Sequence, residues 1–321
     1  GNWDEVLQRV AETLQKEFPA IAADGYDLPT QESKKQRSDP SGENVSLKQQ
    51  AIALTHQGRH QEAEAIYRDI IAAGTPDHDI YTNLSAICGE QGRFEEALNL
   101  LYQALEFRPD SPGAFNNLGN VLMEQGDLDA AIASYGKALA CRPDFPDAHG
   151  NLGHALLAQG DLSAAITSYR KALELKPNYP EAHSGLATAL QEQGDVPAAI
   201  TFYRKALELK PSCPEAHFGL GNALKSQGNL DSAIASYCKA LEFRPYFPEV
   251  QVNLSMAELL VGDCKRGWER YEWRFQQKAC QGFLNARPRC AQWNGGNLST
   301  NDELLLVCEQ GLGDTLQFMR Y

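Results

Sequence analysis

Asparagine recurs at a regular interval in this chain, in a pattern that suits binding to a peptide main chain. Asn83, Asn117 and Asn151 follow one another every 34 residues, and Asn253 falls in the same register. A second polar position lies three residues later, and residues three apart share one face of a helix. An amide both donates and accepts hydrogen bonds, so a row of amides binds main chain without selecting side chains. This spacing predicts a peptide-binding groove formed by Asn83, Asn117, Asn120, Asn151, His154, Asn222 and Asn253.

The same amides have a second interpretation, which the sequence leaves open. Asparagine at such a position also caps a helix or bridges two neighbouring helices. Gly185 and Gly219 occupy the amide position in two intervals, so the predicted row is interrupted there. A clamp for a chain-terminal carboxylate is disfavoured, because the basic residues Lys48 and Lys225 on this face are far apart in the chain.

Histidine also recurs with this interval, at His149, His183 and His217. Adjacent units in a stack of helices lie about 8–10 Å apart, whereas each ligand of a zinc ion lies about 2 Å from it. We therefore expect these residues to be packed, half-buried rings and expect no metal site.

The elements that position these residues follow from the 34-residue period. Glycine marks the period seven times, at Gly58, Gly92, Gly126, Gly160, Gly194, Gly228 and Gly262. Seven repeats counted from these glycines start at residues 44, 78, 112, 146, 180, 214 and 248. Each repeat predicts a first helix that ends at the glycine and a second helix that ends before a proline, as at Pro143 and Pro177.

Other positions that recur in each repeat, which we call columns, predict how the helices pack. The twentieth position is alanine in six repeats, from Ala63 to Ala233, and the twenty-fourth is tyrosine in six, as at Tyr169 and Tyr203. Alanine lets two helices approach closely, and the tyrosine ring fills the space beside them.

With this period and these columns, residues 44–281 resemble the tetratricopeptide repeat family. The resemblance implies an all-α fold, a right-handed superhelical solenoid of about seven helix-turn-helix repeats. It also implies that the chain binds a protein or an extended peptide in the groove lined by the first helices.

The segments Asn116–Asn120 and Gly126–Ile132 are similar in sequence to units in the repeat arm of O-linked N-acetylglucosamine transferases. Near the chain end, an apolar strand-like run, Leu304–Cys308, precedes Glu309–Gln317, which resembles the first loop of a GT-B glycosyltransferase-like domain in bacterial repeat proteins. That resemblance implies a turn at Gly311 and Gly313 suited to charged ligands, with Asp314 as the acceptor-side carboxylate. A nucleotide-sugar donor would belong to a longer parent protein, since the chain has no cofactor of its own and no complete catalytic site.

The remaining segments are appendages to the array. Residues 1–22 predict an amphipathic helix, residues 23–43 a flexible linker, and residues 282–321 a connector with an incomplete first βα unit. The N-terminal helix is expected to cap the first repeat, and self-association through it is the alternative.

Composition excludes several classes of function. The chain has 42 acidic and 29 basic residues, a net charge of −13, which argues against a nucleic-acid partner. No apolar run approaches the roughly 20 residues that span a membrane. Eight cysteines without a paired motif suit a reduced, cytoplasmic protein. We therefore expect a protein-binding scaffold, the acceptor-recognition arm of a glycosyltransferase, with a non-enzymatic adaptor as the alternative.

Overall fold

The computed structural model describes residues 41–74 and 77–276, with side chains described from residue 46 onward. This part of the chain consists of α-helices, numbered α1 to α14, with a short 3-10 helix at Glu272–Gln276 and no strand. The helices are Ser41–His56, His60–Ala72, His78–Glu90, Phe94–Phe107, Pro112–Gln125, Leu128–Cys141, Pro146–Gln159, Leu162–Leu175, Pro180–Gln193, Val196–Leu209, Pro214–Ser226, Leu230–Phe243, Pro248–Leu260 and Cys264–Tyr271.

The described helices form pairs in two compact units, which divide between Pro143 and Asp144. The described part of the first unit holds α1–α6, and that of the second holds α7–α14. In both units each odd-numbered helix packs against the helix that follows it. This confirms the predicted all-α array of helical hairpins. The first helix begins at Ser41 rather than at residue 44, so the end of the predicted linker is helical.

The helix boundaries have local causes in the sequence. The glycine after the first helix of a repeat has a left-handed backbone, with φ of 83° at Gly126 and 89° at Gly160, where the lack of a Cβ avoids strain. The second helix begins after a capping side chain whose oxygen accepts a hydrogen bond from the backbone N–H three residues later. These caps, with distances of 3.0–3.3 Å, are Asp127, Asp161, Asp195, Asn229 and Asp263.

Small residues and tyrosine form the core of each unit, as the columns predict. The alanines at the twentieth position are fully buried: Ala63, Ala97, Ala131, Ala165, Ala199 and Ala233. Five of the six tyrosines at the twenty-fourth position are at most 3% exposed: Tyr67, Tyr135, Tyr169, Tyr203 and Tyr237. The ring therefore lies wholly between helices and must find space there.

Glycines on the first helices provide that space for the tyrosine rings. A Cβ added to Gly153 would lie 2.9 Å from the ring of Tyr169, and one added to Gly185 would lie 2.4 Å from the same ring. Tyr203 fits against Gly219 in the same way, also at 2.4 Å. Real Cβ atoms do not approach a carbon this closely, so these positions exclude any larger residue while the ring keeps its place.

Substitution of Ala199 by leucine should destabilise the fold, because the new side chain must enter a filled helix contact. We expect a loss of about 1–3 kcal/mol in the free energy of unfolding, measured by urea denaturation. Ala158 is exposed on α7, so Ala158→Leu is the control and should change that free energy by less than about 0.5 kcal/mol. Equal effects of both substitutions would contradict the close contact at Ala199.

Two glycine-to-alanine substitutions should change the free energy of unfolding in opposite directions. Gly185→Ala places a Cβ against the buried ring of Tyr169 and should cost about 1–3 kcal/mol. Gly136 lies inside α6 with nothing within 4 Å of an added Cβ, so Gly136→Ala should stabilise by about 0.5–1 kcal/mol through helix propensity. Thermal unfolding of the two variants checks the signs, and a Gly185→Ala protein as stable as wild type would refute the packing argument.

Candidate functional site: the first-helix face of the second unit

The first helices of the second unit form one continuous surface, which we call the first-helix face. It consists of α7, α9, α11 and α13, each of which contacts the next. The sixth and ninth positions of each repeat lie on this face, and so do the predicted residues Asn151, His154, Asn222 and Asn253. The remaining predicted residues, Asn83, Asn117 and Asn120, lie on α3 and α5 of the first unit.

A cavity of about 500 Å³ opens on the first-helix face. Its walls include the rings of Tyr169 and Tyr179 and the backbone of Gly150 and Gly185. Polar side chains line it as well, namely Asn151, His154, Ser184 and Thr188. The lining also includes a charged pair, in which Lys210 Nζ is 3.0 Å from Glu181 Oε1. A cavity with apolar walls and a few polar groups is the usual form of a binding site.

In three repeats the hydroxyl of the tyrosine at the twenty-fourth position forms a hydrogen bond with the residue at the ninth position. The hydroxyl of Tyr135 donates to Asn120 Oδ1 at 2.8 Å, and that of Tyr237 donates to Asn222 Oδ1 at 2.8 Å. The hydroxyls of Tyr203 and Thr188 are 2.9 Å apart. The amide oxygens of Asn120 and Asn222 therefore each have a partner inside the protein.

The repeat that starts at residue 146 departs from this pattern beside the cavity. Its ninth residue is His154, which is exposed, and within the described part of the chain it makes no hydrogen bond to Tyr169. Burial raises the pKa of the Tyr169 hydroxyl, so this group stays protonated at neutral pH and keeps its proton to donate. His154 and Tyr169 are thus both available at the wall of the cavity.

The amides at the sixth position also bond within the protein. Asn117 Nδ2 donates to the backbone oxygen of Thr82 at 3.2 Å, which joins α5 to α3. Asn253 Nδ2 donates to the backbone oxygen of Glu249 at 2.9 Å. Asn151 lines the cavity, and Asn83 is half-buried. Bridging by these amides is therefore observed at Asn117, whereas their contact with a peptide stays a prediction.

The interruption of the amide row has a steric cause. Gly185 and Gly219 stand at the sixth position of their repeats, where the rings of Tyr169 and Tyr203 from the preceding repeat come within 2.4 Å of an added Cβ. An asparagine at either position would collide with the ring. Sequence reasoning found the interruption but not its cause, because the rotamer of the tyrosine is not visible in the sequence.

The recurring histidines are packed against rings and loops. His183 Nε2 donates to the backbone oxygen of Pro177 at 2.9 Å, and its ring stacks on Phe202 with centroids 5.9 Å apart. His217 bonds in the same way to Pro211 at 3.0 Å and stacks on Phe243. The prediction of packed rings is confirmed for these two residues. The carbonyl partner assigns the proton of the neutral ring to Nε2.

One cluster in the first unit has the residue types of a metal site. Single ligand atoms of Asp77, His78 and Asp79 lie within 4.8 Å of one another. Lys48 Nζ, however, lies 2.7 Å from a carboxylate oxygen of each of the two aspartates. The ammonium group supplies the positive charge that the carboxylates need, so the cluster is explained as an ion-pair link between α1 and the start of α3.

The predicted glycosyltransferase-like residues Gly311, Gly313 and Asp314 lie outside the described residues, as does the amphipathic helix predicted for residues 1–22. Among the helices that the structure describes, none has the length and apolar character needed to cross a membrane.

Models of one repeat family match the chain over much of its length. A model described as TPR repeat matches residues 87–126, 119–160 and 153–194. Two models described as tetratricopeptide repeat match residues 184–246 and 49–69. Together the matches span more than half of the 321 residues. A search of curated proteins finds no match.

Solved structures share the fold at low sequence identity. PilF of Pseudomonas aeruginosa is 19% identical with a TM-score of 0.57, covering 65% of this chain and 97% of that one. PilW, a type IV pilus biogenesis factor, is 20% identical with a TM-score of 0.58, covering 64% of this chain and 98% of that one. A chain of the APC/C hetero-tetramer Cut9–Hcn1 is 17% identical with a TM-score of 0.60, covering 74% of this chain and 47% of that one.

At these identities the structures support the fold alone, and the family follows from the matched repeats together with the helix pairs, the glycine caps and the buried tyrosine column. The chain belongs to the tetratricopeptide repeat family.

Proposed function

We propose that this chain binds a partner protein through an extended segment that lies on the first-helix face. The observation that carries the proposal is the cavity of about 500 Å³ beside His154 and Tyr169. In three other repeats the ninth residue is bonded to the column tyrosine, whereas His154 is exposed here and leaves the Tyr169 hydroxyl free of that bond. Available donors and acceptors over apolar walls suit a peptide, which presents both main-chain polar groups and side chains.

The proposed partner is a protein rather than a nucleic acid or a membrane. The net charge of −13 opposes binding to a phosphate backbone. The described cysteines Cys88, Cys141, Cys213, Cys238 and Cys264 are free thiols, which suits the reducing cytoplasm. The first-helix face is thereby proposed to act on other cytoplasmic proteins.

A finer form of the proposal makes the array the acceptor-recognition arm of a bacterial glycosyltransferase. Its support is the resemblance of Glu309–Gln317 to a GT-B loop, with Gly311 and Gly313 at the turn and Asp314 after them. The tetratricopeptide array would hold the acceptor protein while a further domain binds the nucleotide sugar. The repeats fit equally well a non-enzymatic adaptor that assembles a complex, in which self-association through residues 1–22 would add valency.

Sequencing the gene beyond the codon for Tyr321 separates these two forms. A reading frame that continues into an α/β domain with a nucleotide-sugar site supports the enzyme. A stop codon directly after Tyr321 overturns the glycosyltransferase form and leaves the adaptor.

Filling the cavity should abolish peptide binding. Ser184 lines the cavity, so Ser184→Trp places a large ring in the space that the ligand needs. Peptides selected from a random library on the 321-residue chain should bind the variant at least about tenfold more weakly by fluorescence anisotropy, a loss of about 1.4 kcal/mol.

Two further variants complete this experiment. Thr167 is exposed on α8 and outside the cavity lining, so Thr167→Trp is the matched control and should bind as wild type does. His154→Ala removes a cavity side chain from an exposed position, and it should weaken binding without a change in the circular dichroism melting curve. A library that yields no binder, or binders equally tight on all variants, would overturn the proposed function.

A further inference from the structure

Among the lysines that the structure describes, Lys225 is half-buried and has no carboxylate partner. Six lysines lie within 4 Å of an Asp or Glu oxygen: Lys48, Lys171, Lys176, Lys205, Lys210 and Lys239. In the described part of the chain no carboxylate lies within that distance of Lys225. Its Nζ instead donates to Asn253 Oδ1 at 2.7 Å. Lys225 thus places an ammonium group without a counter-charge on the first-helix face.

The position of Lys225 makes the absence of a counter-charge costly. The side chain is half-buried at the twelfth position of α11, and this burial lowers the pKa of its ammonium group. Asn253 is a neutral acceptor, and its own Nδ2 is held by the backbone oxygen of Glu249 at 2.9 Å. The amide therefore orients the ammonium group without neutralising it. A partly desolvated charge that lacks an opposite charge is a free-energy cost which a bound anion would remove.

Neighbouring amides complete a polar surface around the ammonium group. Asn222 lies one turn before Lys225 on α11, and since its Oδ1 accepts from Tyr237, its Nδ2 remains a donor on the same face. Gln191 holds the twelfth position of the preceding repeat, and its Oε1 is buried without a partner in the described part of the chain. The surface around Lys225 thus offers an anion a second donor, Asn222 Nδ2, whereas the buried Oε1 of Gln191 is not accessible to a ligand.

We propose that Lys225 binds the carboxylate of an aspartate or glutamate side chain in the segment that occupies the first-helix face, with Asn222 Nδ2 as a second donor. The inference rests on the proposed function and specifies its ligand. One ammonium group balances the single charge of a carboxylate, whereas a phosphate group carries about −1.5 to −2 at neutral pH and would remain partly unpaired. An extended segment that crosses the first-helix face presents side chains there, so the proposed carboxylate is that of a side chain.

The spacing of the repeats sets the register of this acidic residue. Packed helices lie about 8–10 Å apart, and an extended chain advances about 3.3 Å per residue. The cavity is lined by α9, the first helix of its repeat. Lys225 lies on α11, which is the first helix of the next repeat. The acidic residue should therefore stand about three residues from the one whose side chain fills the cavity.

The test uses a peptide selected from a random library on the 321-residue chain and synthesised in three forms. The first is the parent, the second replaces its acidic residue by the corresponding amide, and the third has an amidated C-terminus. Each is titrated against wild type, Lys225→Gln and Lys239→Gln. Glutamine keeps a donor for Asn253, so Lys225→Gln should fold as wild type does. Lys239 is exposed on α12 and pairs with Glu242, so its variant removes one positive charge away from the face.

We expect Lys225→Gln to bind the parent peptide about tenfold or more weakly, and Lys239→Gln to bind it as wild type does. The amide-substituted peptide should bind wild type and Lys225→Gln equally, since the interacting pair is already broken. If Lys225→Gln binds the parent peptide as tightly as wild type does, the inference is overturned. The proposed function still stands in that case if Ser184→Trp binds the peptide more weakly. If only amidation of the C-terminus weakens binding, the bound carboxylate is the end of the peptide chain. That result overturns the proposal of an aspartate or glutamate side chain. A library without any binder overturns the function and this inference with it.

Discussion

The packing of a buried tyrosine ring in five of the seven repeats is the constraint on which the rest of this array depends. The ring is buried between helices, and where it packs most closely a glycine faces it on the adjoining first helices, as Gly153 and Gly185 face Tyr169. In three repeats its hydroxyl forms a hydrogen bond with the ninth residue of the repeat. The composition of the binding surface is therefore coupled to the core through this side chain.

The residue that follows the ring distinguishes two kinds of repeat in the second unit. After Tyr237 the sixth position of the next repeat carries Asn253. The rings of Tyr169 and Tyr203 fill that space instead, and glycine follows. The cavity opens beside Tyr169, where the hydroxyl lacks its usual partner on the ninth residue. Polar groups that other repeats use for internal bonds are thus exposed to a ligand at one place on the surface.

The sequence predicted the fold more completely than the site. The period, the glycine at Gly160, the proline at Pro180 and the alanine at Ala199 each act through local backbone or volume requirements, which sequence spacing expresses directly. The roles of Asn117 and Asn120 depended on which neighbour their amides reach, and that is a matter of rotamers and of packing between repeats. Lys225 was visible in the sequence as an isolated basic residue, but its lack of a counter-charge required knowledge of every carboxylate near it.

The fit between Tyr203 and Gly219 also bears on how the number of repeats can change during evolution. Removal of residues 180–213 would bring Tyr169 against Gly219, a glycine of the kind that it already faces, so the junction would keep its steric match. Removal of residues 214–247 would bring Tyr203 against Asn253, where the ring and the amide compete for one space. Repeats of equal length are therefore not interchangeable modules, and the array can shorten at one junction more readily than at the next.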